Sequence, residues 1–267
     1  MSNSIVFITG ANTGLGLEIV KALFRSSKAY TVLLGGRSIE NAENAACQVR
    51  EEYPDSSAIA VPIQVDIEDD ESIRTACDYI RSHYARVDVL INNAGASFDQ
   101  QWNRDRDGGP TMREVWNRSW NVNTTGTHIL TYTCAPLLLQ SDDPRLLFIT
   151  SGTSTLAESD NVVLGVNRSP EKGWPKSSLM IPAYRSSKTG MNMMMREWTR
   201  ILKEDRVKTW CVSPGVLATG LGGDQEMNKR MGAIDPIIGA EFVRDVVEGA
   251  RDQDVGRVIR RGDIQPW

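Results

Sequence analysis

Short runs of β-branched and aliphatic residues recur along the chain and alternate with longer stretches whose apolar positions repeat every three or four residues. The first run, Ile5-Val6-Phe7-Ile8, opens a strand expected over 4–9. Runs of the same character lie at 30–35, 58–65, 87–91, 145–150, 206–212 and 255–260. Helical periodicity fills the intervals at 15–27, 39–52, 69–84, 111–139, 183–204 and 239–251. Strand and helix alternating at this spacing call for parallel strands joined by right-handed crossovers, with helices on both faces. The expected fold class is therefore α/β, a doubly wound parallel sheet of seven strands. No linker, repeat or low-complexity stretch interrupts the order, so residues 1–267 are expected to form one domain.

Two segments break the rhythm. Residues 96–110 read as a polar loop carrying Trp102 and a Gly-Gly-Pro turn, and 152–182 as a long excursion rich in Ser, Asn and Pro. Both follow the C-terminal ends of strands, where ligands bind in open α/β sheets. Loops this long inside a compact domain are often functional.

Composition narrows the partners. A formal charge of −4 over 267 residues argues against a nucleic acid or an anionic membrane as the main partner. No stretch approaches the ~20 apolar residues that span a bilayer. The chain enters its first strand at once, leaving no room for a secretory leader, so a cytoplasmic address is expected. Cys47, Cys77, Cys134 and Cys211 are far apart and lack metal-ligand spacing, and there are only two histidines, His83 and His128. Neither a metal site nor a histidine-based triad is expected.

The chemistry is sought elsewhere. Thr9-Gly10-Ala11-Asn12-Thr13-Gly14-Leu15-Gly16 sits between the first strand and the first helix. Glycine there lets the backbone turn tightly and approach a pyrophosphate facing the helix N-terminus, although a tight turn in any α/β protein would also explain it. Tyr184 and Lys188 are four residues apart at the start of a helix, so phenol and ammonium share one face. A cation within ~4–6 Å typically lowers an acid's pKa by about 1–3 units. That would bring a phenol toward the working range of a proton donor and acceptor.

The TGxxxGxG spacing, with further motifs in order, resembles the short-chain dehydrogenase/reductase family nearly end to end. Asn92-Asn93-Ala94-Gly95 follows the fourth strand as that family's NNAG element does, and Pro214-Gly215-Val216 with Thr219 matches its PG motif. The resemblance implies a sheet in the order 3-2-1-4-5-6-7 and a catalytic set of Asn123, Ser151, Tyr184 and Lys188. Tyr184 would move the proton, Ser151 would hold the substrate oxygen, and Lys188 would hold the nicotinamide ribose. Asn123 would anchor a water that links Lys188 to solvent. The implied cofactor contacts are Gly10, Asn12, Thr13, Gly14, Leu15, Gly16, Asp66, Ile67, Asn93, Ala94, Gly95, Tyr184, Lys188, Pro214, Gly215, Val216 and Thr219. In such a sheet the glycine loop and the NNAG turn border one crevice, where the winding direction switches.

Coenzyme type is argued from the end of the second strand. Gly36 occupies the position where NAD-preferring family members carry an acid, and Arg37 and Ser38 follow. A guanidinium beside a hydroxyl suits a 2′-phosphate, so NADP(H) is expected over NAD(H), although Arg37 could instead stack on adenine or face solvent. The basic residue that some NADP-preferring members carry in the glycine loop is missing, the positions holding Asn12 and Thr13.

Other features depart from the common pattern. Tyr184 lies 33 residues beyond Ser151, well past the family's usual spacing. Residues 155–182 therefore resemble the insertion of carbonyl-reductase-like fungal members, lining the substrate pocket or forming a surface loop. Ser177 or Ser178 could replace Ser151, although strand-end placement favours Ser151. Trp102 and Trp174 are the pocket candidates, while Trp116 and Trp120, at helical spacing, read as packing. Met191, Met193, Met194 and Met195 read as core or interface filler. Residues 220–235, rich in glycine, would form a flexible segment closing over substrate.

The expected function is hydride transfer between NADP(H) and a carbonyl or secondary alcohol, as a ketone reductase of secondary metabolism acting on a small-molecule carbonyl substrate. Reduction of an enone, imine or quinone, or a dehydration, remains open on the same scaffold. A non-catalytic NADP(H)-binding sensor or scaffold would be expected to lack Tyr184 or Lys188. A homo-oligomer and a monomer are both compatible with the sequence.

Overall fold

The computed structural model describes residues 3–104, 108–176, 180–223, 225–230 and 232–267. Strands β1 (Ser4–Ile8), β2 (Tyr30–Gly36), β3 (Ile59–Gln64), β4 (Val89–Asn92), β5 (Arg145–Ile149), β6 (Lys208–Val212) and β7 (Val258–Ile259) form one sheet. Every pairing is parallel and the order is β3-β2-β1-β4-β5-β6-β7. The expected topology is the observed one.

Helices α1 (Gly14–Phe24), α2 (Ile39–Glu52), α3 (Asp70–Tyr84), α4 (Asp99–Arg104), α5 (Met112–Trp120), α6 (Thr127–Leu138), α7 (Pro182–Ile201), α8 (Gln225–Arg230) and α9 (Pro236–Val247) complete the fold. Side chains alternate across the strands, so the sheet has two buried faces. Phe7, Leu33, Leu90 and Phe148 meet Ile73, Leu130, Met191 and Met195 from α3, α6 and α7. Val6, Ile8, Val32 and Ile91 meet Val20, Val49 and Val243 from α1, α2 and α9. The near-continuous apolar runs of the strands follow from burial on both sides. Among the described residues, no helix is long and apolar enough to cross a membrane.

Three expectations about elements need correction. The helix expected over 111–139 is broken by a π-helical turn, Asn121–Gly126. A Cβ on Gly126, the last residue of that turn, would lie 1.9 Å from the Ile67 carbonyl oxygen, so the loop after β3 packs directly against it. The polar loop at 96–110 contains α4, and Trp102 on that helix packs half-buried against the core. The last strand is only two residues long, Val258–Ile259. Trp116 and Trp120 are packing residues, as their spacing suggests. A Cβ on Gly190 of α7 would lie 2.6 Å from the Trp120 ring. Met191 and Met195 are buried and Met193 is exposed.

Candidate active site

The glycine loop is shaped by close approach. Gly10 and Gly14 have φ of +60° and +55°, which L side chains rarely adopt. Gly16 has no such torsion, but a Cβ there would lie 2.2 Å from the Gly10 carbonyl oxygen and 2.6 Å from Asn93 Nδ2. Asn93 ties this loop to β4, its Nδ2 donating to the carbonyls of Thr9 and Gly10 at 2.8 and 3.0 Å. Thr9 Oγ1 accepts from the amides of Asn93 and Ala94, a role the sequence reading missed although Thr9 opens the motif. Thr13 stands at the N-terminus of α1 without a side-chain cap, and no acid occupies the first turn. Its orphan amides and the helix dipole suit a pyrophosphate. We expect Gly16→Ala to lower unfolding stability by at least about 2 kcal/mol and to weaken dinucleotide binding, because the obstacle is backbone. An unchanged melting temperature would refute the close approach.

The Asn93-Ala94-Gly95 turn leads from this cradle to the reactive groups. A Cβ on Gly95 would sit 3.1 Å from both Lys188 Nζ and Asn123 Oδ1, so this glycine lies against two of the expected catalytic residues. Asn123, in the π turn, is fully buried. Its Oδ1 accepts from the Ala96 amide at 3.0 Å, and its Nδ2 donates to the Ala96 carbonyl and to Ser187 Oγ. Lys188 Nζ donates to the Ile149 carbonyl at 2.8 Å. Burial pulls its pKa down from 10.5 to about 8.

Tyr184 is buried in the first turn of α7, and Ser151 follows β5. Burial raises the phenol's pKa, and the Ser151 hydroxyl acts against it by favouring the ionised form. This differs from the sequence expectation that the ammonium pulls the phenol down. Lys188 directs its amine to the Ile149 carbonyl, and desolvation governs both groups.

Gln265, 1% exposed, also escaped the sequence reading. Its amide donates to the Ser151 carbonyl at 3.2 Å, bracing the serine from the far end of the chain. Only the fold reveals that contact. Ser177 and Ser178, the alternatives to Ser151, lie outside the described residues.

The other cofactor candidates follow strands β1, β2, β3 and β6. A Cβ on Gly14 would lie 3.7 Å from the Thr219 side chain, so the glycine loop and the segment after β6 meet. Gly215 has φ +105°, and Val216 is 63% exposed. Leu15 packs half-buried and Ile67 is buried in the core. Asp66 is half-buried, with Oδ1 accepting from the Glu68 amide at 3.0 Å. At the end of β2 a Cβ on Gly36 would come within 3.1 Å of Asn12 Oδ1, leaving little room for an acid. Arg37 and Ser38 are exposed, and Ser38 Oγ accepts from the Asn41 amide at the start of α2.

A pocket of about 400 Å³ opens between residues 95–98 and 220–223, next to Gly95. The segment after Thr219 is held in place, Asn228 Nδ2 donating to the Thr219 carbonyl at 3.0 Å and Gln225 Nε2 to that of Ala218 at 2.8 Å. The other pocket candidates fare differently. Trp102 packs half-buried against the core, and Trp174 is 81% exposed. Arg185, beside Tyr184, holds the 155–182 segment through the Val166 carbonyl and the Asn167 side chain, and also donates to the Thr153 carbonyl just before it.

Comparison with known proteins agrees with this geometry. A family model described as short chain dehydrogenase matches residues 4–163. The short-chain dehydrogenase/reductase eupG of a Phoma species is 42% identical over 273 residues, covering 98% of this chain and 97% of the relative. The short-chain dehydrogenase/reductase tropE of Talaromyces stipitatus is 42% identical over 265 residues, covering 98% and 97%. Among solved structures, an NADPH-bound carbonyl reductase from chicken fatty liver superposes with a TM-score of 0.78 over 100% of both chains at 20% identity.

Proposed function

Because this chain belongs to the short-chain dehydrogenase family, we propose that it is an NADP(H)-dependent oxidoreductase that reduces a ketone or aldehyde to the alcohol and catalyses the reverse. The observation that carries this reading is the buried Tyr184 phenol, with the Ser151 hydroxyl acting on its ionisation and Lys188 one helical turn further along α7. When bound, the reduced nicotinamide supplies the hydride to the carbonyl carbon. The chain's own groups do the rest. Tyr184 gives its hydroxyl proton to the carbonyl oxygen, and its burial keeps that proton in place at neutral pH. Ser151 steadies the same oxygen as charge builds on it. Lys188, whose amine is satisfied by the Ile149 carbonyl, would hold the nicotinamide ribose. Asn123 braces the turn at Ala96 against α7, and both ends of its amide are spent on protein. A water leading from Lys188 to solvent would therefore be held by the Asn123 main chain.

Preference for NADP(H) rests on the end of β2. Gly36 offers no acid to repel a phosphate, and the Arg37 guanidinium is exposed with no ion pair among the described residues. Arg37→Glu is expected to raise the KM for NADPH about 10- to 100-fold, the value of one charge-assisted contact, and to leave that for NADH within about threefold. Equal change in both would end the argument for phosphate recognition.

The activity itself is tested by following NADPH oxidation with ketones, aldehydes, quinones, enones and imines. Turnover of ketones or aldehydes with Tyr184-dependent rates is expected. Turnover confined to enones or imines would overturn the assignment.

A further inference from the structure

Helix α7 carries both Tyr184 and Lys188, yet it does not close its own N-terminus. Ile181 precedes it with no side-chain acceptor, and Pro182 in the first position has no N–H to satisfy. The amides of Ala183 and Tyr184 are left as donors that need a partner. One carboxylate from another element takes both. Asp99 Oδ1 accepts from the Ala183 amide at 2.9 Å and Oδ2 from the Tyr184 amide at 3.0 Å. Asp99 is 4% exposed and is the first residue of α4.

The origin of that carboxylate gives the contact its meaning. The chain running 95–99 touches three of the four catalytic positions in succession: Gly95 lies against Lys188 and Asn123, Ala96 is bonded to Asn123, and Asp99 holds the backbone of Tyr184. Residues 95–98 also line the pocket. A cap serving helix stability alone could stand at position 181, as Asp235 does for α9. Here it is supplied from the wall of the site.

We propose that Asp99 is a positioning residue for proton transfer, fixing the first turn of α7 so that the Tyr184 hydroxyl meets the substrate oxygen held by Ser151. The proposal rests on the reading of Tyr184 as proton donor. Burial raises the Asp99 pKa, while the two helix amides and the helix dipole favour the carboxylate. Its hydrogen bonds fix both the position of the helix and its rotation, since each oxygen addresses a different residue. A phenol displaced by about 1 Å can cost on the order of a hundredfold in rate.

The test compares the full-length enzyme with Asp99→Asn and Asp99→Ala. Turnover is measured by NADPH oxidation with para-nitrobenzaldehyde and menadione, NADPH affinity by fluorescence, and the solvent deuterium isotope effect on kcat. Asp99→Ala is expected to lose at least about thirtyfold in kcat with NADPH affinity within about twofold. Its solvent isotope effect rises, because proton transfer becomes the slow step. Asp99→Asn keeps one oxygen acceptor at the same place and restores part of the rate. If the alanine variant does not fold, the asparagine variant, with an unchanged melting temperature, must by itself show the selective kcat loss and the larger isotope effect. Parental kcat, or a loss shared equally by kcat and NADPH affinity with the isotope effect unmoved, overturns the proposal. Tyr184→Phe is run alongside. An active Tyr184→Phe enzyme removes the proton-transfer reading and this proposal with it, whereas an inactive one beside a fully active Asp99→Ala enzyme removes this proposal alone.

Discussion

Tyr184→Phe is expected to lower turnover about 10²- to 10⁴-fold while changing NADPH affinity by no more than about threefold, because the substitution removes the proton and little else. That loss corresponds to roughly 3–5 kcal/mol of activation free energy. The phenol is buried at the start of α7, so phenylalanine fills the same space. Losing one hydrogen bond costs about 1 kcal/mol of stability, well within what a domain of this size tolerates. The result therefore separates chemistry from folding. Binding is read from NADPH fluorescence, rate from NADPH oxidation, and folding from thermal denaturation. A variant with more than about a tenth of parental kcat would remove Tyr184 from proton transfer. A variant that lost NADPH affinity in step with kcat would instead place the tyrosine in coenzyme binding.

The parts of this site that were legible from sequence are those whose physical reason is local. Gly10 and Gly14 need unusual backbone torsions within a single loop, and Tyr184 and Lys188 share a face because four residues make about one helical turn. Alternation of short strands with amphipathic helices left few topologies, and the strand order that is observed is the one the family resemblance implied. The features that escaped are long-range. Asp99 reads in sequence as one more polar loop residue, and only the fold brings it to two amides more than eighty positions away. Gln265 meets the Ser151 carbonyl across 114 positions. The π turn at Asn121–Gly126 falls inside a stretch with unbroken helical periodicity, and the Ile67 carbonyl that packs against it lies outside any window on the helix. The phenol's shift was misjudged for a related reason. Four-residue spacing sets which face two side chains share but not how their tips are directed, and the Ile149 carbonyl claims the ammonium.

Lys188→Met is expected to reduce turnover by at least about a hundredfold and, in the same protein, to raise the stability of the cofactor-free fold at neutral pH. Lys188 is 3% exposed, its amine satisfied by one carbonyl, and no carboxylate pairs with it among the described residues. Its folded pKa, about 8, lies below the unfolded value of 10.5. The unfolded chain thus holds this proton more tightly than the folded one. Below about pH 8 both states are protonated and the fold carries the full cost of a buried charge, about 3 kcal/mol. As pH rises from about 8 toward 10.5 the folded state releases its proton first, and the Lys188 contribution to stability rises. Methionine fills a similar volume without charge, and gives up a hydrogen bond worth about 1 kcal/mol. Its net advantage should be about 1–3 kcal/mol at pH 7, shrinking toward zero or reversing by pH 10. Comparing the two proteins by urea unfolding at several pH values cancels the buried Cys134 thiol, whose raised pKa acts in both, whereas the Cys211 thiol in the variant loses the lysine charge that opposes its upward shift. A variant less stable than the parent at pH 7, or an advantage that grows with pH, would mean that the ammonium is stabilised where it lies. The cation would then belong to the architecture of the fold. With the expected sign, it is a charge held out of water against its own preference, at the point where β5, the Gly95 turn and α7 converge.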